Sequence, residues 1–166
     1  MSLKTFLAAA TFGIALAAAA HAQTTAAVAP MVIYDDGLQN NWQNWSWGST
    51  VDMQVPAGGV KPMKVEGGAW SALDLHHDAV STAGYTKLTF YVNGGVDGGQ
   101  TLTVHVKIAG QAVASSFTIQ PKVRSWDIVE VPLKDIGAEN VMLEDVFLQG
   151  GADAFKPYYI DKIQLE

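Results

Sequence analysis

Apolar and polar positions alternate with a period of two along much of the chain. In Thr101-Leu102-Thr103-Val104-His105-Val106-Lys107-Ile108 every second residue is apolar. That is the pattern of a strand with one packed face and one wet face. Lys87 to Asn93 repeats it, with Leu88, Phe90 and Val92 inward and Thr89, Tyr91 and Asn93 outward. Ala69 to His77 sets Leu73 and Leu75 inward against Trp70, Asp74 and His76. Val129 to Leu133 alternates as well, and Pro132 marks an edge or a strand end. Further strand-like runs cover 31–35, 49–55, 63–66, 112–119, 143–149 and 157–165. Turn clusters such as Pro56-Ala57-Gly58-Gly59, Asn93-Gly94-Gly95 and Asp97-Gly98-Gly99 separate the runs. About ten short strands without a helical stretch or an internal repeat predict an all-β protein, a two-sheet antiparallel β-sandwich.

The first 22 residues do not fit this pattern. Lys4 precedes an uncharged run from Phe6 to Ala20, and Ala20-His21-Ala22 supplies small residues at a cleavage position. The run is short for a bilayer span of roughly 20 residues, so the expectation is a signal peptide removed before Gln23. Residues 23–30 form an Ala/Thr-rich lead, and 31–166 a single domain. The expected location is secreted, extracellular or periplasmic.

The net charge is −6, and removal of Lys4 leaves the remainder one unit more acidic. Such a chain lacks the basic footprint of a nucleic-acid or anionic-membrane binder. Cysteine is absent, so the fold rests on its core alone, which a domain of this length can supply.

The outward rows are where function is expected. Trp42, Trp45 and Trp47 lie within six positions, among Asn40, Asn41, Gln43 and Asn44. An indole face stacks on the C–H face of a pyranose while amides and imidazoles bond its hydroxyls. Large aromatics also pack inside, so core placement stays open for each of these three. Trp126 is expected in the core by the same rule. Trp70, His76, Tyr91 and His105 are outward on their strands, and Gln149 follows Leu148 on a late one. If the strands are neighbours, these residues line one sheet face.

Catalytic patterns are weak. His76 and His77 point to opposite faces of a regular strand and have no H-E-x-x-H or cysteine partners. No serine sits in G-x-S-x-G. A carboxylate pair for glycoside hydrolysis stays open, because separations are not readable from sequence. Asp35-Asp36-Gly37 closes the first strand and Asp161 lies in the last. These acids read either as a turn and a strand-end acid, or as oxygen ligands for calcium.

Tyr34-Asp35-Asp36, Trp42-Gln43-Asn44-Trp45-Ser46-Trp47-Gly48, Leu75-His76-His77-Asp78 and Tyr159-Ile160-Asp161-Lys162-Ile163 together resemble the galactose-binding-domain-like carbohydrate-binding modules of bacterial polysaccharide-degrading systems. The Trp126–Leu133 run is similar to their strand before the final hairpin. The resemblance spans Val32 to Leu165. It implies a jelly-roll sandwich, glycan binding without catalysis, and a structural Ca2+ between the terminal strands with Asp36 and Asp161 as ligands. The expected partner is a polysaccharide or oligosaccharide, bound by Trp42, Trp45, Trp47, Trp70, His76, Tyr91, His105 and Gln149. With no catalytic domain in the chain, a stand-alone matrix or capture role is included. A structural or protein-interaction domain with a secreted partner is the alternative, and a glycan-active enzyme the third reading.

Overall fold

The computed structural model describes residues 28–166, so the expected leader and most of the lead lie outside the described residues. Eleven strands follow in order: β1 Met31–Tyr34, β2 Gln43–Asn44, β3 Trp47–Asp52, β4 Met63–Ser81, β5 Lys87–Asn93, β6 Leu102–Ile108, β7 Gln111–Ala112, β8 Phe117–Ile119, β9 Trp126–Pro132, β10 Met142–Gln149 and β11 Phe155–Leu165. A short 3₁₀ turn, Leu133–Ile136, follows β9.

The long strand β4 organises the molecule because it belongs to both layers. Its first half pairs with β3 and β11, from Asp52↔Lys64 to Phe155↔Gly67. Its second half pairs with β10 and β2, as in Asp145↔His76 and Gln43↔His76. The front layer therefore runs β7/β8–β6–β10–β4–β2, and the rear layer β3–β4–β11–β5–β9. β1 takes over the side of β11 that β4 vacates, through Met31↔Leu165. All pairings are antiparallel, and the result is a jelly-roll β-sandwich.

The bend in β4 lies at Gly67-Gly68-Ala69-Trp70. A Cβ on Gly67 would sit 2.1 Å from the Ser71 hydroxyl oxygen, and Trp70 adopts φ +58°. These glycines let one strand pass between layers, so the runs 63–66 and 69–77, separate in the sequence pattern, are continuous. The run 112–119 breaks into β7 and β8 around Ala114-Ser115-Ser116.

Leu73, Leu75, Val104, Val106, Val146 and Leu148 point inward from the front layer. They meet Val65, Leu88, Phe90, Val92, Val131, Tyr158 and Ile160 from the rear. The alternation in β4, β5 and β6 has the register expected from sequence.

Two tryptophans differ from expectation. Trp42, offered as a binding residue, is 3% exposed and belongs to the core. Asn40 and Asn41 before it adopt φ +50° and +64°. This left-handed pair turns the chain so that the indole drops inward against His77, ring centroids 5.2 Å apart. Trp126, assigned to the core, is 41% exposed. It pairs with Asn93 while Ile128 pairs with Tyr91, and directly opposed residues share a face. Average burial misplaced Trp126, which strand register decides, and the polar setting of Trp42 misplaced it, which turn geometry decides.

Candidate functional site

The outer surface of the front layer carries three adjoining rows. His76, Asp145 and Lys107 oppose one another across β4, β10 and β6. Asp74, Phe147 and His105 form the next row, and Ala72, Gln149 and Thr103 the third. Over the β4 side of these rows lies the segment from β2 into β3. The Trp45 amide donates to the Asp74 carbonyl at 2.9 Å, and Trp47 pairs with Ala72.

This arrangement fixes an aromatic platform. The Trp45 indole stacks on the His76 imidazole with centroids 3.5 Å apart and planes 15° apart. Its Nε1–H donates to Gln43 Oε1 at 3.1 Å. Trp47 packs at 5.4 Å against Phe147, which stacks on His105 at 5.0 Å. The Trp47 Nε1–H donates to the Trp70 carbonyl at 3.1 Å, and Gln149 Nε2 donates to the same oxygen at 3.0 Å. Trp45, Trp47 and Trp70 remain 54%, 37% and 61% exposed. The Trp45 and Trp47 indoles are each held on one side and open on the other, while Trp70 contributes its carbonyl as the acceptor that ties Trp47 and Gln149 together.

Beneath the rings is a buried ionic network. Lys107 Nζ donates to Asp74 Oδ2 at 2.7 Å and to Asp145 Oδ1 at 3.3 Å. It also lies 5.3 Å from the Trp47 ring and 5.4 Å from Phe147, in cation–π range. His76 Nδ1 contacts Asp145 Oδ1 at 3.1 Å. Asp74 Oδ1 is buried without a protein partner. Burial pushes the Asp74 carboxyl up to about 6; the bond from Lys107 opposes this and the Asp145 charge adds to it. Burial works against the Lys107 charge, but the Asp74 and Asp145 carboxylates outweigh it and raise its pKa. Burial lowers the His105 pKa, favouring a neutral imidazole.

The Asp74 shift makes a stability prediction with a definite sign. Below about pH 4 the carboxyl is protonated folded or unfolded. Between about 4 and 6 the unfolded chain releases a proton that the folded chain retains. Asp74 therefore makes stability fall as pH rises through that window, with no further change above it. Thermal midpoints of the native protein and Asp74→Asn, measured from pH 3.5 to 7.5, should differ by an amount that changes between pH 4 and 6. Parallel curves would show that the carboxyl is not shifted.

Past Trp70 the platform opens into a cleft of about 370 Å³, walled by residues 98–101 and 150–156 with Thr103, His105 and Gln149 between them. The front face thus brings together Trp45, Trp47, Trp70, His76, His105 and Gln149. Two candidates stand apart: Trp42 lies in the core, and Tyr91 projects from the opposite layer. Sequence reasoning missed Lys107, Asp145 and Phe147. Lys107 was readable, being two residues from His105 on an alternating strand. Phe147 was not, because Val146-Phe147-Leu148 is apolar throughout and gives no register.

At the other end, one carboxylate oxygen each from Asp35, Asp36 and Asp161 lies within 4.8 Å of the others. A bulge after Asp161, with Lys162 at φ +52°, turns these residues toward the loop after β1. The Lys61 amide donates to Asp36 Oδ1 at 2.7 Å, and Lys162 Nζ pairs with Asp35.

No family model matches the chain. An endoglucanase of Dictyostelium discoideum is 32% identical over 89 residues, covering 51% of this chain. The chain spans only 13% of that enzyme's length. Solved structures of family 29 carbohydrate binding modules share the fold. One variant of such a module superposes with TM-score 0.64 at 18% identity, covering 84% of this chain and 92% of its own. Another, complexed with mannohexaose, gives 0.63 at 17% identity, covering 82% and 90%. A third, complexed with cellulohexaose, gives 0.63 at 18%, covering 82% and 89%.

Proposed function

We propose that this chain is an exported, non-catalytic glycan-binding domain that holds a polysaccharide on its front face. The observation that carries the reading is the trio of exposed indoles on one face: Trp45 and Trp47, each anchored on one side and open on the other, with the exposed Trp70 beside them. A pyranose ring lays its C–H face on an indole, while Gln149, His105, Thr103 and Lys107 offer bonds to its hydroxyls. The Trp45 and Trp47 rings are fixed before the ligand arrives, so little conformational entropy is lost there on binding.

Related proteins support the substrate class. Modules of the same fold were solved with mannohexaose and with cellulohexaose, and an endoglucanase segment aligns with half of the chain. A hexopyranose backbone such as a glucan or mannan is the ligand this site suits. Catalysis fits poorly. Asp74 and Asp145 are buried to 1% and 3% and share Lys107, whereas glycoside hydrolysis needs two carboxyls flanking an open bond.

Affinity electrophoresis in gels cast with hydroxyethylcellulose, glucomannan, xylan, galactan or pectin tests the reading. Retardation by at least one polymer, with no reducing sugar released, is the expected result. Free migration in every gel would refute it. Export is tested separately: the N-terminus of the secreted protein should be Gln23.

The three carboxylates near the chain's ends fit a calcium ion in donor chemistry. Hard oxygens converge from Asp35, Asp36 and Asp161, and their mutual repulsion is relieved by a divalent cation. Asp161 is 3% exposed, which makes that relief larger. Calcium would then brace the loop after β1 against β11, away from the front face. The thermal midpoint should rise in calcium relative to chelator, because about 2.7 kcal/mol is gained at a hundredfold excess over Kd. Asp161→Asn should abolish the difference. Equal midpoints in calcium and chelator would remove the ion from the account.

A further inference from the structure

The rear layer presents a second aromatic surface that the front-face reading does not use. Directly opposed residues put Trp126, Asn93 and Tyr159 in one row across β9, β5 and β11. Ile128, Tyr91 and Asp161 form the next. Tyr91 and Trp126 are each 41% exposed and occupy diagonal positions on paired strands. Trp126 stands between two clefts. One, of about 450 Å³, is lined by Val60, Tyr91, Asp161, Lys162 and Gln164 besides Trp126 itself. The other, of about 220 Å³, lies between Trp126, Asn93, Arg124 and Tyr159.

We propose that this surface is a second glycan-binding site, which makes a single chain bivalent for polysaccharide. The chemistry of the lining selects the occupant. Trp126 and Tyr91 expose their rings on the paired strands β9 and β5, with the half-buried Tyr159 on β11 beyond them, and such a cluster of an indole and phenols is a platform for sugar rings. Asn93 and Gln164 supply amides at the edge of those rings. Of the nearby charges, Lys162 pairs with Asp35 and Lys122 with Asp127 at 2.9 Å, whereas the exposed Arg124 borders the smaller cleft with no acidic partner among the described residues. The exposed indole and phenol suit the C–H face of a sugar ring, and the amides with the Arg124 guanidinium suit its hydroxyls. Trp126 lies outside the core cluster and leaves much of a large apolar side chain in water, next to exposed Tyr91 and Ile128.

Bivalency follows from the placement of the two platforms on opposite layers, too far apart for one sugar ring to touch both. A protein with two faces cross-links long chains, and avidity for a polymer exceeds the affinity of either face for an oligosaccharide.

The test compares the native chain, Tyr91→Ala/Trp126→Ala, and Trp45→Ala/Trp47→Ala, with Trp126→Phe as a milder change. Each is titrated calorimetrically with cellohexaose and with mannohexaose, and mixed with long-chain glucomannan or hydroxyethylcellulose to follow turbidity. Native protein is expected to bind two hexaose molecules and to cross-link the polymer. The rear variant keeps one molecule and loses cross-linking, and Trp126→Phe weakens the second site by up to about tenfold, since a smaller ring remains. The front variant retains the rear site alone. A single molecule bound by native protein, abolished in the front variant and unaffected by the rear substitutions, overturns the proposal. So does a rear variant whose only change is in self-association by sedimentation, which would mark the surface as a protein interface. Binding lost in the rear variant but kept in the front one would sustain this site and refute the front one.

Discussion

Replacing both Trp45 and Trp47 with alanine is expected to weaken glycan binding roughly a hundredfold while leaving the fold intact. Each indole contributes stacking of about 0.5–1.5 kcal/mol beyond the apolar area that it covers. Loss of two rings removes about 2–4 kcal/mol in total, and every 1.4 kcal/mol is a factor of ten. Neither ring is a core residue. The two are 54% and 37% exposed, and their outer faces meet only solvent. The thermal midpoint should therefore move by no more than a few degrees. Some loss is expected from Trp47, whose indole covers Phe147 and Lys107. The readout is calorimetric affinity for whichever polymer retards the native protein, with thermal unfolding alongside. An unchanged affinity, in a variant that still folds, would remove the front platform from the account.

Trp42→Ala should behave in the opposite way. This indole is nearly fully buried among the core side chains and packs against His77. Truncating a buried tryptophan costs about 3–5 kcal/mol, because the lost transfer energy is joined by the cavity left behind. For a domain of this size that lowers the thermal midpoint by roughly 10–20 °C. One offset exists: Trp42 Nε1 is buried without a partner, so its removal also relieves an unmade hydrogen bond. The affinity of the fraction that stays folded should change little, since Trp42 touches no open surface. A stable variant with lost binding would place Trp42 in the site after all. The contrast is useful because Trp42 and Trp45 are three residues apart and look equivalent in the sequence.

The layer architecture was legible because the alternation is clean where it matters. Leu73 and Leu75, Leu88 to Val92, and Leu102 to Val106 set inward and outward faces without tertiary information. The same alternation put Trp70, His76 and His105 outward. Which strands are neighbours was not legible. The adjacency of β6, β10 and β4 gathers His105, Gln149 and His76, whereas Tyr91 sits on β5 in the other layer. Short-range turn chemistry was the second blind spot. Two left-handed asparagines send Trp42 inward, and nothing in the string of amides distinguishes that turn from a solvated loop. Trp126 is a different case. Inward Val129 and Val131 already imply an outward Trp126 by parity, and the average burial of indoles outweighed evidence that was present. The ionic network under the platform was invisible for a third reason: Asp74, Asp145 and Lys107 come from three strands and meet only after folding.

The most direct test of the central claim uses the indole N–H resonances of the tryptophans in the folded protein. Isotope-labelled protein would be titrated with cellohexaose, mannohexaose, xylohexaose and a galactan oligosaccharide, each resonance being assigned by single substitution. The account predicts that one of these sugars shifts Trp45, Trp47 and Trp70 together and saturably, while buried Trp42 stays in place. Resonances of Trp45, Trp47 and Trp70 that remain fixed with every sugar would contradict it.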